Sequence, residues 1–324
     1  MSDLTVDLAI VGAGPTGLFA AYYAGFRGLR TAVLDALPEA GGQITAMYPE
    51  KQIFDVGGFP EIKGRDLVEN LLRQAAPFEP VYLLGRQAQK LEYVAEKPVL
   101  DLADGTRLEA EAVLITGGLG SFAPRPLPAA ADFPGAGIVY FVPELAAHAG
   151  QDVVIVGGGD SAFDWALALH GVARSTVIVH RREKFRAHQG TVDRVRGLGV
   201  PIIVNAQVTA IHGTERVTGV DIDVKDEGPQ TLPADAIVAA LGFTADLGPL
   251  TEWGLEIDKR HIVVDSAMAT NLPRVFAAGD ISEYQGKVRL IATGFGEAAT
   301  AVNNAAVVID PSAHVFPGHS SDAG

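Results

Sequence analysis

One glycine loop occurs twice in this chain, each time in the same setting. In LAIVGAGPTGLFA (residues 8–20), Gly12, Gly14 and Gly17 fit the spacing G-x-G-x-x-G; in VVIVGGGDSAFDW (153–165), Gly157, Gly159 and Ala162 fit G-x-G-x-x-A. Each loop follows a short apolar run that reads as a strand, 7–11 and 153–156, and each opens a stretch that reads as a helix. A second strand then follows, RTAVLD in the first unit and STVIVH in the second, so both are β-α-β. Asp35 stands 23 positions after Gly12, and His180 stands 23 positions after Gly157.

That position is where a dinucleotide fold reads the adenosine ribose, and the two units place different chemistry there. The Asp35 carboxylate accepts hydrogen bonds from ribose hydroxyls and repels a 2′-phosphate, which suits FAD or NAD. His180, Arg181, Arg182 and Arg186 form a cationic set suited to a phosphate dianion through charge-assisted contacts. The reading assigns FAD to the first loop and NADPH to the second. The plain alternative for the arginines is a solvated helix start, but Arg174, Arg181, Arg182, Lys184, Arg186, Arg194 and Arg196 concentrate in a chain otherwise short of positive charge.

The stretches AEAVLITGGLGSFAPRP (110–126) and ADAIVAALGFTAD (234–246) both read as a buried strand leaving a domain, and they bracket the second unit. The expected fold is therefore α/β, with two Rossmann-like, three-layer dinucleotide-binding domains, the second inserted in the first. Residues 1–117 and 245–324 would form the FAD-binding domain and 118–244 the NADPH-binding domain. The resumed part carries NLPRVFAAGD, read as a strand ending at Asp280, and a small-residue helix over 294–309. A carboxylate at such a strand end either meets the ribityl or pyrophosphate region of a flavin nucleotide or caps the next turn.

Composition removes several classes of chemistry. A net charge of −14 opposes general binding to nucleic acid or anionic membranes. No apolar run approaches the ~20 residues that cross a bilayer. MSDLTVD leads directly into a strand with no export signal, which points to the cytoplasm. The chain has no cysteine, so it makes no disulfide, thiolate metal site, iron–sulfur cluster or dithiol relay. No metal site is expected.

Taken together, GGGDSA, HRREKFRA and VFAAGD resemble bacterial thioredoxin reductase, of the class II pyridine nucleotide-disulfide oxidoreductases. The region GIVYFVPELAAHAGQ holds no C-x-x-C, where those enzymes carry their redox pair. PEAGGQITAMYPEK and the ending FPGHSSDAG are instead similar to the thioredoxin-reductase-like ferredoxin/flavodoxin–NADP reductases. That resemblance implies FAD contacts at Thr16, Asp35, Gln43, Tyr48, Ala88, Phe122, Asp280 and Ser320. It implies a 2′-phosphate set at Arg181, Arg182 and Arg186, and a pyrophosphate loop over 157–161 that includes Asp160 and Ser161. It further implies Tyr48 and His319 on opposite faces of the isoalloxazine ring, with no acid–base role required of either, and a homodimer.

The activity implied is hydride transfer from NADPH to flavin N5 and single-electron release to ferredoxin or flavodoxin. Two other readings share the cofactor motifs: an NADPH-dependent reductase of quinones or other small acceptors, and a non-catalytic dinucleotide redox sensor.

Overall fold

The computed structural model describes residues 4–316 and Gly318, with the backbone alone at Phe122. The chain packs as two units, one of Met1–Ala46, Gln52–Ser121 and Ala245–Gly324, the other of Met47–Lys51 and Phe122–Thr244. Residues 118–121 stay with the first unit because Gly120 abuts the Asp246 carbonyl so closely that a Cβ would lie 1.9 Å from it. Residues 47–51 go with the second unit: Lys51 pairs with Asp164 at 2.6 Å, and Tyr48 packs against that unit's core. The strands Ser121–Pro124 and Phe243–Asp246 pair where the chain passes between units.

The first unit opens with β1 (Leu4–Val11), α1 (Pro15–Phe26), β2 (Thr31–Asp35), α2 (Gln43–Met47) and α3 (Gly64–Ala75). It continues with β3 (Val81–Leu84), β4 (Ala88–Val94), β5 (Lys97–Leu102) and β6 (Arg107–Ile115). Leu8, Ala9 and Ile10 are all fully buried, so β1 is covered on both faces and reads as a continuous apolar run rather than an alternating one. It lies parallel between β2 and β6, with Ile10 level with Val33 and Leu114. The sheet order is β3-β2-β1-β6-β5-β4, and the last two pair antiparallel. Pro15 at the start of α1 has the φ a first helical turn needs and lacks only an N–H that would have no helical partner.

The second unit contains β7 (Asp152–Val156), α4 (Asp160–Leu169), β8 (Ser175–Val179) and α5 (Gln189–Gly197). Then come β9 (Ala206–His212), β10 (Gly219–Val224), β11 (Gly228–Pro233) and β12 (Ala236–Ala239). β12, β7 and β8 are consecutive in a five-stranded parallel sheet flanked by the short strands Ile138–Val139 and Ile202–Ile203. The strand period divides its core in two. Val153, Ile155, Ile178 and Val238 pack with Phe163, Trp165, Val192 and Val195 of α4 and α5. Val154, Val156, Val179 and Ile237 pack with Ala206, Val220, Ile222 and Val224 of the antiparallel sheet β9-β10-β11. Helices, parallel sheet and antiparallel sheet make three layers.

Back in the first unit, β13 (Val275–Ala277) joins the sheet parallel to β6, and α6 (Ile291–Ile309) follows. The helix begins three residues before the 294 read from sequence. The strand ends at Ala277 rather than at Asp280, because Gly279 turns the chain at φ +82°.

Candidate functional site

The carboxyl ends of β1, β2, β6 and β13 gather most of the residues expected around the first glycine loop. Gly12 has φ +119°, and a Cβ there would lie 2.6 Å from the Thr116 carbonyl carbon. Only glycine lets the loop close against the end of β6, where Thr116 Oγ1 donates to the Gly12 carbonyl at 2.8 Å. Gly14 is the N-cap of α1, no side chain caps that helix, and no atom lies within 4 Å of where a Cβ on Gly14 would stand. The helix N-terminus is thus uncapped with open space beside Gly14, a cradle of the kind that holds a pyrophosphate. The Gly41 N–H donates to the Ala13 carbonyl at 2.8 Å and lays the AGGQ segment over the loop. That places Gln43 beside Gly118, where a Cβ would stand 3.2 Å from Gln43 Nε2.

Asp35 accepts the Ala13 N–H on Oδ2 at 2.7 Å and the Leu37 N–H on Oδ1 at 2.9 Å. Burial pushes its carboxyl above the ordinary carboxylate range, and those backbone donors hold it down in part. Each oxygen keeps a lone pair for a ribose hydroxyl. Thr16, at the start of α1, sits between Gly279 and Gly294, at both of which a Cβ would come within 2.8 Å of Thr16 Oγ1. Asp280 follows in the turn. Burial raises its carboxyl, while Lys287, Arg289 and His261 draw it down and Glu297 pushes it up.

The second glycine loop repeats the arrangement. Gly159 is the N-cap of α4, again without a side-chain cap and with open space at its Cβ position. A Cβ on Gly157 would lie 2.4 Å from the Ala240 carbonyl oxygen, as Gly12 abuts Thr116. The HRREKFR segment folds onto this loop: the Arg186 N–H donates to the Gly158 carbonyl at 2.8 Å, and the His180 ring covers Gly158. His180 Nε2 stands 3.3 Å from the Lys184 carbonyl, which makes Nε2 the protonated nitrogen. Burial lowers the pKa of His180, its bond to Lys184 raises it, and Arg181, Arg182 and Arg186 lower it further.

Arg181, Arg182 and Arg186 are exposed, and none makes an ion pair among the described residues. Arg174, by contrast, is engaged by Asp152 and Asp235, so it drops out of the cationic set as a phosphate reader. Asp160 Oδ1 accepts the His188 N–H at 2.8 Å and ties the segment to α4. Ser161 is exposed beside it.

Ala88 packs in the core at the start of β4. Tyr48 belongs to the second unit, half-buried against its core. The side chain of Phe122, and His319 and Ser320, fall outside the described residues. Sequence reasoning missed a buried polar cluster behind Asp280. Glu297 accepts the Gly279 N–H at 2.7 Å and the Tyr284 hydroxyl at 2.7 Å, and it pairs with Lys287. Burial and that carboxylate push the Tyr284 phenol up to about 12. A sequence signal existed: Gly294, Glu297, Ala301 and Ala305 recur at helical spacing, so one carboxylate lies on the buried face of α6. A charge there requires a partner.

The sequence pattern of the pyridine nucleotide-disulphide oxidoreductases matches residues 6–305. The chain belongs to that family. Within it, the chain falls among the ferredoxin–NADP reductases: those of Salinispora tropica and Saccharopolyspora erythraea are 71% and 64% identical over 317 and 320 residues, each match covering 98% of both chains. Among solved structures, the thioredoxin reductase of T. acidophilum superposes with a TM-score of 0.79 at 27% identity, over 93% of this chain and 98% of that one. This member of the family has no cysteine and therefore no disulfide for its electrons to pass through. Its architecture is the two Rossmann-like domains expected from the paired loops.

Proposed function

We propose that this protein is an FAD-dependent oxidoreductase that moves electrons between NADPH and a one-electron carrier protein, ferredoxin or flavodoxin. The observation that carries the reading is the pair of matched but chemically opposite sites, a carboxylate at Asp35 and the exposed guanidinium groups of Arg181, Arg182 and Arg186, which make no ion pair among the described residues. In this reading 1–117 with 245–324 form the FAD-binding domain and 118–244 the NADPH-binding domain. Its relatives bear the name ferredoxin–NADP reductase.

The residues present fit both nucleotides. The Gly14 and Gly159 cradles have room for a pyrophosphate at an uncapped helix N-terminus. Asp35 holds the flavin nucleotide's ribose, and the arginines grip the 2′-phosphate of NADPH. When bound, the flavin supplies the step between two-electron and one-electron chemistry. The chain's own task is to orient the two nucleotides, and no side chain has to act as nucleophile or general base. Tyr48 and His319 flank the flavin ring in this reading, and Tyr48→Ala therefore weakens FAD retention. The protein works as a homodimer in the cytoplasm; among the described residues no helix is long and apolar enough to cross a membrane.

The test is anaerobic reduction of the purified yellow protein by NADPH, followed by titration with ferredoxin, flavodoxin, a quinone and thioredoxin. Turnover with ferredoxin or flavodoxin is expected. Turnover with the quinone alone makes the protein a small-acceptor reductase, and none with any acceptor makes it a redox sensor.

A further inference from the structure

Lys287 and Glu297 are nearly inaccessible, with 1% and 4% of their side chains exposed, and they lie directly behind the turn that carries Asp280. All three Lys287 protons have acceptors: the Gly279 carbonyl at 2.8 Å, Ser282 Oγ at 3.1 Å and the Glu297 carboxylate. Glu297 reaches the same residue from the other side through the Gly279 N–H, and Ser282 Oγ donates to the Gly279 carbonyl at 2.8 Å. One peptide residue is thus gripped at its N–H and its carbonyl by two opposite charges. The next residue is Asp280.

We propose that the Lys287–Glu297 ion pair is a positioning element of the flavin site: it holds the Gly279–Asp280 turn and sets the charge that Asp280 presents to the flavin nucleotide. The inference rests on the proposed FAD site. A packing role alone does not require charge, since a buried pair is commonly replaceable by apolar groups of similar volume without loss of stability. The charges that face Asp280 are Lys287, Arg289 and His261, which favour its ionised form, and Glu297, which opposes it. Removing one member of the pair therefore shifts Asp280 in a direction set by which member is lost. In Lys287→Met, the Gly279 N–H and the Tyr284 hydroxyl still donate to Glu297.

The experiment is titration of the FAD-stripped full chain with FAD from pH 5 to 9, with the flavin midpoint potential measured on the reloaded proteins. Wild type is expected to lose affinity on its acid limb as Asp35 and Asp280 protonate, and only the Asp280 share of that limb responds to the Lys287–Glu297 pair. Lys287→Met moves that limb to higher pH by about half a unit to one unit, and Glu297→Gln moves it to lower pH. The neutral double variant Lys287→Met/Glu297→Gln returns it near its wild-type position. A uniform loss of FAD affinity with an unmoved limb overturns the proposal and leaves the pair as packing. If Lys287→Met does not fold, the downward shift in Glu297→Gln decides alone, and failure of all three variants to fold makes the pair a folding element and overturns it as well. Wild type that takes up no FAD at any pH instead defeats the functional reading on which the pair's role rests.

Discussion

Arg181, Arg182 and Arg186 differ from Arg174 and Arg196 in having no carboxylate partner among the described residues. Arg174 is held by Asp152 at 2.6 Å, and Arg196 stands 3.9 Å from Asp193. An exposed guanidinium without a partner has no existing ion pair to break when it meets a phosphate. Arg181→Ala combined with Arg182→Ala removes two charge-assisted contacts of about 1.5–3 kcal/mol each. The ratio of kcat/KM for NADPH over NADH should fall by at least about tenfold, read from steady-state rates with both nucleotides. Asp280 makes a second prediction, about pH. Its native pKa lies above 3.8, so an ionised Asp280 destabilises the FAD-free fold at neutral pH. Asp280→Asn should therefore raise the Tm of the FAD-free protein at pH 7, and this advantage should shrink as pH falls through the raised native pKa. Thermal melts across that range check it, and an advantage independent of pH counts against it.

The two loops also differ as elements. In the first, a Cβ on Gly17 would lie 1.9 Å from the Gly12 carbonyl oxygen, whereas the second unit accommodates a methyl group at Ala162. Gly17→Ala should thus destabilise the first unit by about 1–3 kcal/mol through overpacking and release FAD. Ala162→Gly should cost about 1 kcal/mol of helix propensity and leave NADPH binding in place. Urea unfolding and nucleotide titration of both variants separate the cases. Gly14→Val, at a position with no atom within 4 Å, should leave the fold intact and expel FAD by filling the cradle. The strand and helix of each loop were legible because their apolar periods and glycine spacing are local. The start of α6 and the end of β13 were displaced by a few residues, because Gly279 and the close approach of Thr16 to Gly294 set them.

At the scale of the whole molecule, the absence of cysteine in a chain that superposes on a thioredoxin reductase sets the strongest functional contrast. NADPH-dependent reduction of thioredoxin disulfide should be undetectable while a one-electron acceptor turns over, and robust disulfide reduction by the pure protein would sink the proposed route. The paired loops, the opposite ribose readers and the missing thiols could be read directly, since each depends on residue type and short spacing. Where the two packing units part could not be read to the residue, because the close fit of Gly120 to Asp246 and the Lys51–Asp164 pair join segments more than a hundred positions apart. The same holds for the unpaired state of the arginines and for Lys287 and Glu297 closing on the peptide of Gly279. Local chemistry named the nucleotide sites; long-range packing chose which charges stayed free to meet a ligand and which were buried in support.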